Sequence, residues 1–497
     1  MDSGPTIAVR SPATGAVLGH VPDADAAAVQ AAVARARQAQ PRWAALGIAG
    51  RRKALRKVAA RLARDEALVK LIADETGQPP HEAECIEVLY TCELIRHLTG
   101  RAARRALREE LRSPFFFANK RSRLVKHPRG VVGVIGPWNW PLLNNFADCV
   151  APLMAGNAVV LKPSPLTPLT SLHVKRVWDD LGLPAAAFTV VTGNASAGEA
   201  LVQAADMIFF TGSVAAGRKI AAAAGERLIP AIVELGGKSA AIVTANADLA
   251  DAAGAIVWSA FMHSGQACIR TERVIVEAAV AAQLTDLIKQ QVQRLRVGSP
   301  ETDADVGAII FEPQLARFEQ QIAQAVGAGA QLLAGGTTVR GPGRFFSPTL
   351  LGSVTPAMQV ATEETFGPVL PIITVQDVAE AVALANALPY GLSGAVFAGS
   401  TSEGRAIARQ LQTGNVCVND SAVHYFCVES PLGGVKNSGL GARHGHEAVA
   451  NFTWTETIVE DRPCLGPVTR LLMKQLRFPY QPRVRKALRA VMRLLYR

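Results

Sequence analysis

Aromatic residues make up only 6% of the 497 positions. The core must therefore be built from aliphatic side chains and alanine, with many helices packing through small-residue faces. Cysteine is scarce as well: seven residues, an odd number without regular spacing, which argues against a disulfide framework and for a reducing compartment. No run of eighteen apolar residues occurs, so no membrane-spanning helix is expected. The most apolar candidate, LLNNFADCVAPLMAGNAVVL, carries Asp148 and several asparagines and reads as a buried helix leading into a strand. The N-terminal MDSGPTIAVRSPATG has neither the basic start nor the apolar stretch of a signal peptide, so a cytoplasmic location is expected. Acidic residues are missing from Pro463 to Arg497, where nine lysines and arginines lie. The formal charge of +11 is thus largely a property of this tail, and the body is close to neutral.

What is present is a long apolar-rich chain, 49% hydrophobic, too large for one core and suited to two or three domains. Residues 5–22 alternate around Thr14-Gly15 and predict a β-hairpin. Residues 24–110 are rich in Ala, Arg, Leu and Glu with helical periodicity, with breaks expected near Pro41 and at Pro79-Pro80. From residue 124 the texture changes. LVKHPRGVVGVIGPW, AVVLKPS (158–164), FTVVTG (188–193), MIFFTGS (207–213) and AAIVTA (240–245) are short β-rich runs separated by helical stretches. That alternation predicts βαβ units and a parallel sheet. A second alternating block from about 250 to 420 holds RVIVE, a helix over 278–295, PTLLGSV and GAVFAG. Two α/β domains follow, joined near ELGGKS (234–239). No internal repeat is found. At the end, FPYQP (478–482) precedes VRKALRAVMRLLYR, in which Val484, Leu488, Val491, Met492 and Leu495 share one helical face. This is a basic amphipathic helix.

Candidate chemistry is spread over six short segments. HSGQACIR (263–270) presents Cys268 after a small-residue turn. A buried filler, a metal ligand and a nucleophile all fit this stretch, and nearby backbone amides would favour the last by lowering the thiol pKa. GPWNWP (136–141) holds Asn139 between two tryptophans; its amide suits either a donor to an oxyanion or the local bonding of a tight turn. VVLKPSP (159–165) puts Lys162 at the C-terminal end of a strand, where phosphate or ribose can be met, or where a lysine is merely solvated. FFTGSVAAG (209–217) is strand, turn and helix, with Gly212 and Gly217 permitting close approach and Ser213 at the helix start, as a phosphate site or a plain cap. VELGGKS places Glu234 before a Gly-Gly turn, as a general base or a salt-bridge partner. EETFGPVLP (363–371) offers Glu364 for sugar hydroxyls and Phe366 for a flat heterocycle, or a strand-entry loop with a core ring. No metal site is expected.

In order and spacing, WNWP, KPS, FTGS, ELGGKS, GQAC, EETFGPV and PLGGVKNSG resemble the NAD(P)-dependent aldehyde dehydrogenase superfamily, over about residues 5–460. The resemblance implies an α/β fold. Two Rossmann-like parallel-sheet domains, a cofactor-binding one (1–112 and 131–235) and a catalytic one (236–423), would be accompanied by a small β oligomerisation element (113–130 and 424–460). The basic tail, 461–497, lies outside it. By resemblance Cys268 is the nucleophile, Asn139 and the Cys268 amide stabilise the oxyanion, and Glu234 activates the water that hydrolyses the thioester. Trp138, Lys162, Ser164, Gly212, Ser213, Gly217, Leu235, Gly236, Glu364 and Phe366 match cofactor contacts. Trp140, Leu143, Asn144, Ala267, Ile269, Phe426 and Leu432 match the substrate tunnel, whose apolar character favours an aliphatic or aromatic aldehyde over a phosphorylated one.

Two positions depart from the pattern. Many NAD-preferring members have a glutamate after Lys-Pro-Ser that holds the ribose; here it is Pro165, so the cofactor is NAD or NADP. Some members carry a second glutamate after the PxGGxKxSGxG motif; here Arg443 occupies that place, and no proton relay is assumed there. Arg270 fits a carboxylate tail only if it turns into the pocket. Rival readings are a semialdehyde dehydrogenase, a CoA-acylating relative and a non-catalytic binding protein; retention of Glu234 argues against the second, and Cys268, Glu234 and Asn139 together argue against the third. FFFANKRSRLVKH (115–127) fits an exposed strand completed by another subunit, giving a homodimer or homotetramer. No aromatic-basic interleaving supports nucleic-acid binding. Residues 482–497 fit peripheral contact with an anionic membrane surface.

Overall fold

VVGVI, AVVLK and MIFFT have no polar alternation, and each forms a strand buried along its whole length: Val131–Ile135, Ala158–Lys162 and Met207–Thr211. Continuous apolar runs of this kind belong to parallel sheets covered on both faces. With Phe188–Val190 and Ala231–Glu234 they form one parallel sheet, in the spatial order 188–190, 158–162, 131–135, 207–211, 231–234, edged by the antiparallel strand Gly439–Leu440. The chain leaves strand Val131–Ile135 toward one side and returns to add strands on the other. The strand order therefore reverses between Val131–Ile135 and Met207–Thr211, and a crevice opens at their C-terminal ends.

A second sheet has the order Gln331–Ala334, Thr349–Gly352, Val369–Val375, Arg273–Glu277, Ala240–Val243, Ser393–Phe397, Asn415–Val418, parallel except for Gln331–Ala334. Helices Leu249–Phe261 and Ala278–Val292 cover it with alanine and branched aliphatics, including Ala253, Ile256, Leu284 and Ile288. In the first sheet the corresponding core is Val131, Val160, Leu201, Ile208 and Val233. The fold is α/β, as the alternation predicts.

This computed structural model describes residues 4–113, 119–445, 447–462 and 473–496. The chain divides into two units. Both sheets belong to the first, Met1–Ala106 with Pro128–Phe452. The second, Leu107–His127 with Thr453–Arg497, contains a sheet of strands Thr453–Asp461, Lys120–Pro128 and Glu110–Arg112 and the helix Pro482–Leu495. The expected exposed Phe115–Phe117 lies outside the described residues.

The predicted hairpin is Thr6–Arg10 against Val17–Pro22. The expected break near Pro41 does not occur: Ala26–Ala45 is one helix with Pro41 inside it. A proline there forfeits one backbone bond, but Trp43, two residues on, is fully buried, donates to the Leu153 carbonyl at 2.8 Å and packs on Trp178. Tertiary packing outweighs the local loss. At Pro79-Pro80 the break is real; the preceding helix ends at Thr76, with Gly77 in the left-handed conformation.

Candidate active site

The link ELGGKS joins the C-terminal end of strand Ala231–Glu234 to the N-terminal end of strand Ala240–Val243. The first sheet therefore presents the C-terminal ends of its strands, bearing Asn139, Lys162, Ser213 and Glu234. The second presents N-terminal ends, with Cys268 before Arg273–Glu277 and Glu364 before Val369–Val375. Strand ends from both sheets meet at one place.

Asn139 follows a turn that has no room for a side chain at Gly136, where a Cβ would lie 1.8 Å from Asn145 Oδ1. Asn139 is buried. Its Nδ2 donates to the Gln266 carbonyl at 2.8 Å, and its own carbonyl accepts from His263 Nε2 at 2.6 Å. Trp140 stacks on the His263 ring, centroids 4.1 Å apart. Burial holds His263 at a pKa of about 3, so it is a neutral structural donor. The chain before Cys268 bends through left-handed residues His263 (φ 51°) and Ser264 (φ 57°), a strained conformation retained only where neighbours enforce it. Glu82 enforces it by accepting from the His263 amide. Gln266 does so by donating to the His263 and Ala308 carbonyls and accepting from Ile310 N. An amide has two N–H groups; Gln266, two residues before Cys268, takes one of Asn139's, and no other acceptor for Asn139 Nδ2 is found among the described residues.

Burial pushes the Cys268 thiol up to about 12; Arg443 opposes this, while Glu234 and Glu364 add to it. Glu234 is buried, and burial pushes its carboxyl up to about 8 against the pull of Arg443. Its Oε1 has no hydrogen-bond partner among the described residues, so this oxygen is uncommitted. At neutral pH the resting pair is a thiol and a carboxylic acid.

Around the crevice, Lys162 is buried, which lowers its pKa to about 8 while Asp23 opposes the shift. Ser213 caps helix Val214–Glu226, accepting from Ala216 N. Gly217 lets that helix lie against its strand, since a Cβ would fall 2.3 Å from Leu235 Cδ2. The Gly212 amide donates to the Glu234 carbonyl, and the Leu235 amide to the Ser438 carbonyl. Ser164 Oγ accepts from Leu166 N within its own turn. Glu364 rests on the Gly-Gly turn: Oε1 accepts from Gly237 N at 2.9 Å, and a Cβ on Gly236 would fall 2.1 Å from that oxygen. Phe366 meets Trp138 edge-on at 5.4 Å. A buried ammonium, the start of a long helix, glycines admitting close approach and a paired aromatic wall fit a dinucleotide.

A cavity at Cys268 is lined by Trp140, Leu143, Asn144, Ala267, Ile269 and Phe426, six of the tunnel positions read from the sequence. Leu432 is a correction: it is buried and paired in register with Arg443 rather than lining the cavity. Ile86, Met262 and Tyr425 complete the wall. Met262 directly precedes HSGQACIR and Tyr425 directly precedes Phe426, whereas Ile86 comes from a helical segment far away in sequence with no motif beside it. Arg270 is not on the wall; it is fully buried and ion-paired with Glu272.

The Aldehyde dehydrogenase family model matches residues 1–458. A provisionally named succinate-semialdehyde dehydrogenase (NADP+) of Mycolicibacterium smegmatis is 38% identical over 456 residues, 90% of this chain and 87% of that protein. The 4,4'-diapolycopene aldehyde oxidase of a Methylomonas species is 34% identical over 482 residues, covering 96% and 88%. The crystal structure of a Mycobacterium tuberculosis aldehyde dehydrogenase complexed with NAD+ superimposes with a TM-score of 0.88 at 37% identity, covering 92% of this chain and 95% of that one. The chain belongs to the aldehyde dehydrogenase family. It is an oxidoreductase that converts an aldehyde to an acid with NAD or NADP.

Proposed function

We propose that Cys268, Asn139 and Glu234 divide this reaction among them. The Cys268 thiol gives its proton to water, the resulting thiolate adds to the aldehyde carbon, and the carbonyl π pair moves to oxygen. The free N–H of Asn139 and the Cys268 amide receive that oxyanion. NAD(P)+, when bound, supplies the hydride acceptor; Lys162, Ser164, Gly212, Ser213, Gly217, Leu235, Gly236, Glu364, Phe366 and Trp138 would hold it. Loss of hydride leaves an acyl group on sulfur. Glu234, as carboxylate, takes a proton from water as the water oxygen adds to the thioester; the C–S bond then breaks and releases the acid. The observation that carries this reading is the Asn139 amide, fixed by Gln266 two residues before Cys268, with an uncommitted Glu234 oxygen in the same site. Cys268→Ala tests it. NADH or NADPH production should vanish with cofactor binding retained; surviving turnover refutes the assignment.

The substrate we assign is an apolar aliphatic or aromatic aldehyde. The two polar side chains on the cavity wall, Asn144 and Tyr425, bond each other at 2.7 Å, and Arg270 is committed elsewhere. A semialdehyde is the second reading, favoured by the name of the M. smegmatis relative. Comparing kcat/KM for decanal, benzaldehyde and succinate semialdehyde decides between them, and a clear preference for the last would overturn the apolar reading. Pro165 puts no carboxylate after Ser164, which supports use of NADP as well as NAD.

Cytoplasmic location, homo-oligomerisation and a membrane contact belong to the same proposal. Strand Thr453–Asp461 exposes Trp454, Ile458 and Val459, a surface that a second copy would cover; sedimentation velocity tests this. Among the described residues no helix is long and apolar enough to cross a membrane. Helix Pro482–Leu495 exposes Leu488, Val491, Met492 and Leu495 among arginines, which suits an anionic lipid surface. Full-length protein should pellet with anionic liposomes at low salt and a 1–465 truncation should not; equal, negligible pelleting removes the idea.

A further inference from the structure

Arg443 stands after the PLGGVKNSG motif, where the family resemblance leads one to look for an acid. It lies in the two-residue strand Arg443–His444, paired with Pro431–Leu432, and is almost completely buried, at 6% exposure. Nη1 donates to Asn144 Oδ1 at 2.7 Å, to the Tyr425 hydroxyl at 3.0 Å and to Asp148 Oδ1 at 3.2 Å. Nη2 donates to Thr211 Oγ1 at 2.8 Å. Thr211 is the register partner of Glu234 across the sheet. Asn144 and Tyr425 are wall residues of the cavity that contains Cys268. The guanidinium therefore sits directly behind that wall and beside the strand that bears the base.

We infer that Arg443 is the fixed cation of this active site, stabilising the Cys268 sulfur anion and the Glu234 carboxylate when each forms in turnover, without touching the substrate. The inference rests on the catalytic roles proposed above for Cys268 and Glu234 and assigns Arg443 as a positioning residue for both.

The charges around the site support it. The groups acting on Cys268 are Arg443, Glu234 and Glu364; those acting on Glu234 are Arg443 and Asp148. Arg443 itself is faced by Asp148, Tyr425, Glu234 and Tyr90. Among these Arg443 is the cation, and every other group is an acid. An arginine does not deprotonate in a protein, so its field is constant across the working pH range. In a low-dielectric interior that field is much stronger than in water. Asp148 is the carboxylate bonded to it, and Asp148 Oδ2 and Arg443 Nε are both buried without partners among the described residues. The pair meets through one Asp148 oxygen, and Arg443 also bonds the wall residues Asn144 and Tyr425, so the guanidinium is held against the cavity wall rather than turned wholly to Asp148. Burial pushes the thiol and the carboxyl of the reacting pair upward, and in both cases Arg443 acts against it.

The test is the rate of Cys268 alkylation by iodoacetamide between pH 6 and 10, followed by mass spectrometry on the Cys268 peptide of the full-length protein. Arg443→Met should slow alkylation at pH 8 by tenfold or more, the equivalent of one pKa unit. Arg443→Lys, which keeps the charge, should remain within about threefold of wild type on the same scale. Asp148→Asn, which removes the competing acid, should accelerate alkylation. A merely structural role would not produce opposite signs for the two partners of one ion pair. An Arg443→Met protein with wild-type melting temperature, cofactor affinity and alkylation profile overturns the inference. Where Arg443→Met does not fold, an Asp148→Asn rate equal to or below wild type overturns it instead. Alkylation is read independently of turnover, so failure of the catalytic assignment, seen as activity in Cys268→Ala, is distinguishable from failure of this inference.

Discussion

Arg270 stands two residues beyond Cys268, yet its guanidinium lies 2.8 Å from the Glu272 carboxylate, with both side chains buried. Glu272 also receives Lys238 at 2.7 Å and the amides of Thr365 and Phe366. One carboxylate thereby ties together the loops that carry Gly236, Cys268 and Glu364. The two cations and two amides hold its pKa at about 2 despite the cost of burial.

Glu272→Gln leaves two buried cations without their counter-charge. Breaking a buried pair in this way costs about 3–5 kcal/mol. Urea denaturation should show a loss of that size, and any folded fraction should have a raised KM for the cofactor because the Glu364–Phe366 loop is released.

Asn139→Ala removes the proposed oxyanion donor and leaves the cavity wall in place. By analogy with other oxyanion-hole donors, kcat should fall about 10²–10³-fold with little change in substrate KM. Steady-state kinetics on a single aldehyde check this; a loss confined to KM would contradict the role.

Glu234 is a base only when deprotonated, and its pKa is raised to about 8. Steady-state turnover limited by thioester hydrolysis should therefore rise with pH through about 8. Glu234→Gln should still give one rapid burst of reduced cofactor per Cys268 and then stall, with the acyl-enzyme visible by intact mass.

Glu82 accepts from the His263 amide and is pushed up to about 8 by burial. A folded acid with a raised pKa binds more protons than the unfolded chain, so its contribution is full at low pH and is lost as pH rises through about 8. Glu82→Gln cannot ionise and keeps an acceptor oxygen. It should have a higher Tm than wild type at pH 9, with the gain shrinking as pH falls below about 8 and disappearing only near the unfolded value of 4.5, by differential scanning fluorimetry.

Gly236→Ala brings a Cβ to 2.1 Å from Glu364 Oε1. Glu364 must move off the Gly237 amide, so KM for NAD(P) should rise several-fold. Overpacking of this kind costs about 1–3 kcal/mol, measurable in the same urea titration.

Much of this could be read along the chain because it depends on neighbours in sequence. Apolar runs bounded by glycine and proline define strands such as Val131–Ile135 and Met207–Thr211, and Ser213 before VAAG defines a helix start. Motifs that follow a strand sit at its end wherever the sheet is placed, so Asn139, Lys162, Ser213 and Glu234 could be named in advance. The same local logic misplaced Pro41, because a break predicted from one lost hydrogen bond ignores what Trp43 buries on Trp178. The resemblance placed Leu432 on the cavity wall, whereas it is buried and paired in register with Arg443.

Sequence order determined the α/β class, and its motifs, by their resemblance to a family, supplied the proposed nucleophile, base and oxyanion donor, since each is carried by a contiguous motif. Only the tertiary structure decided which charges face them. Arg443, Asp148, Asn144 and Tyr425 are separated by up to hundreds of residues and meet around one guanidinium. The direction of Arg270 was settled by Glu272. Electrostatic energy depends on distance through space and on burial, neither of which spacing along a chain encodes.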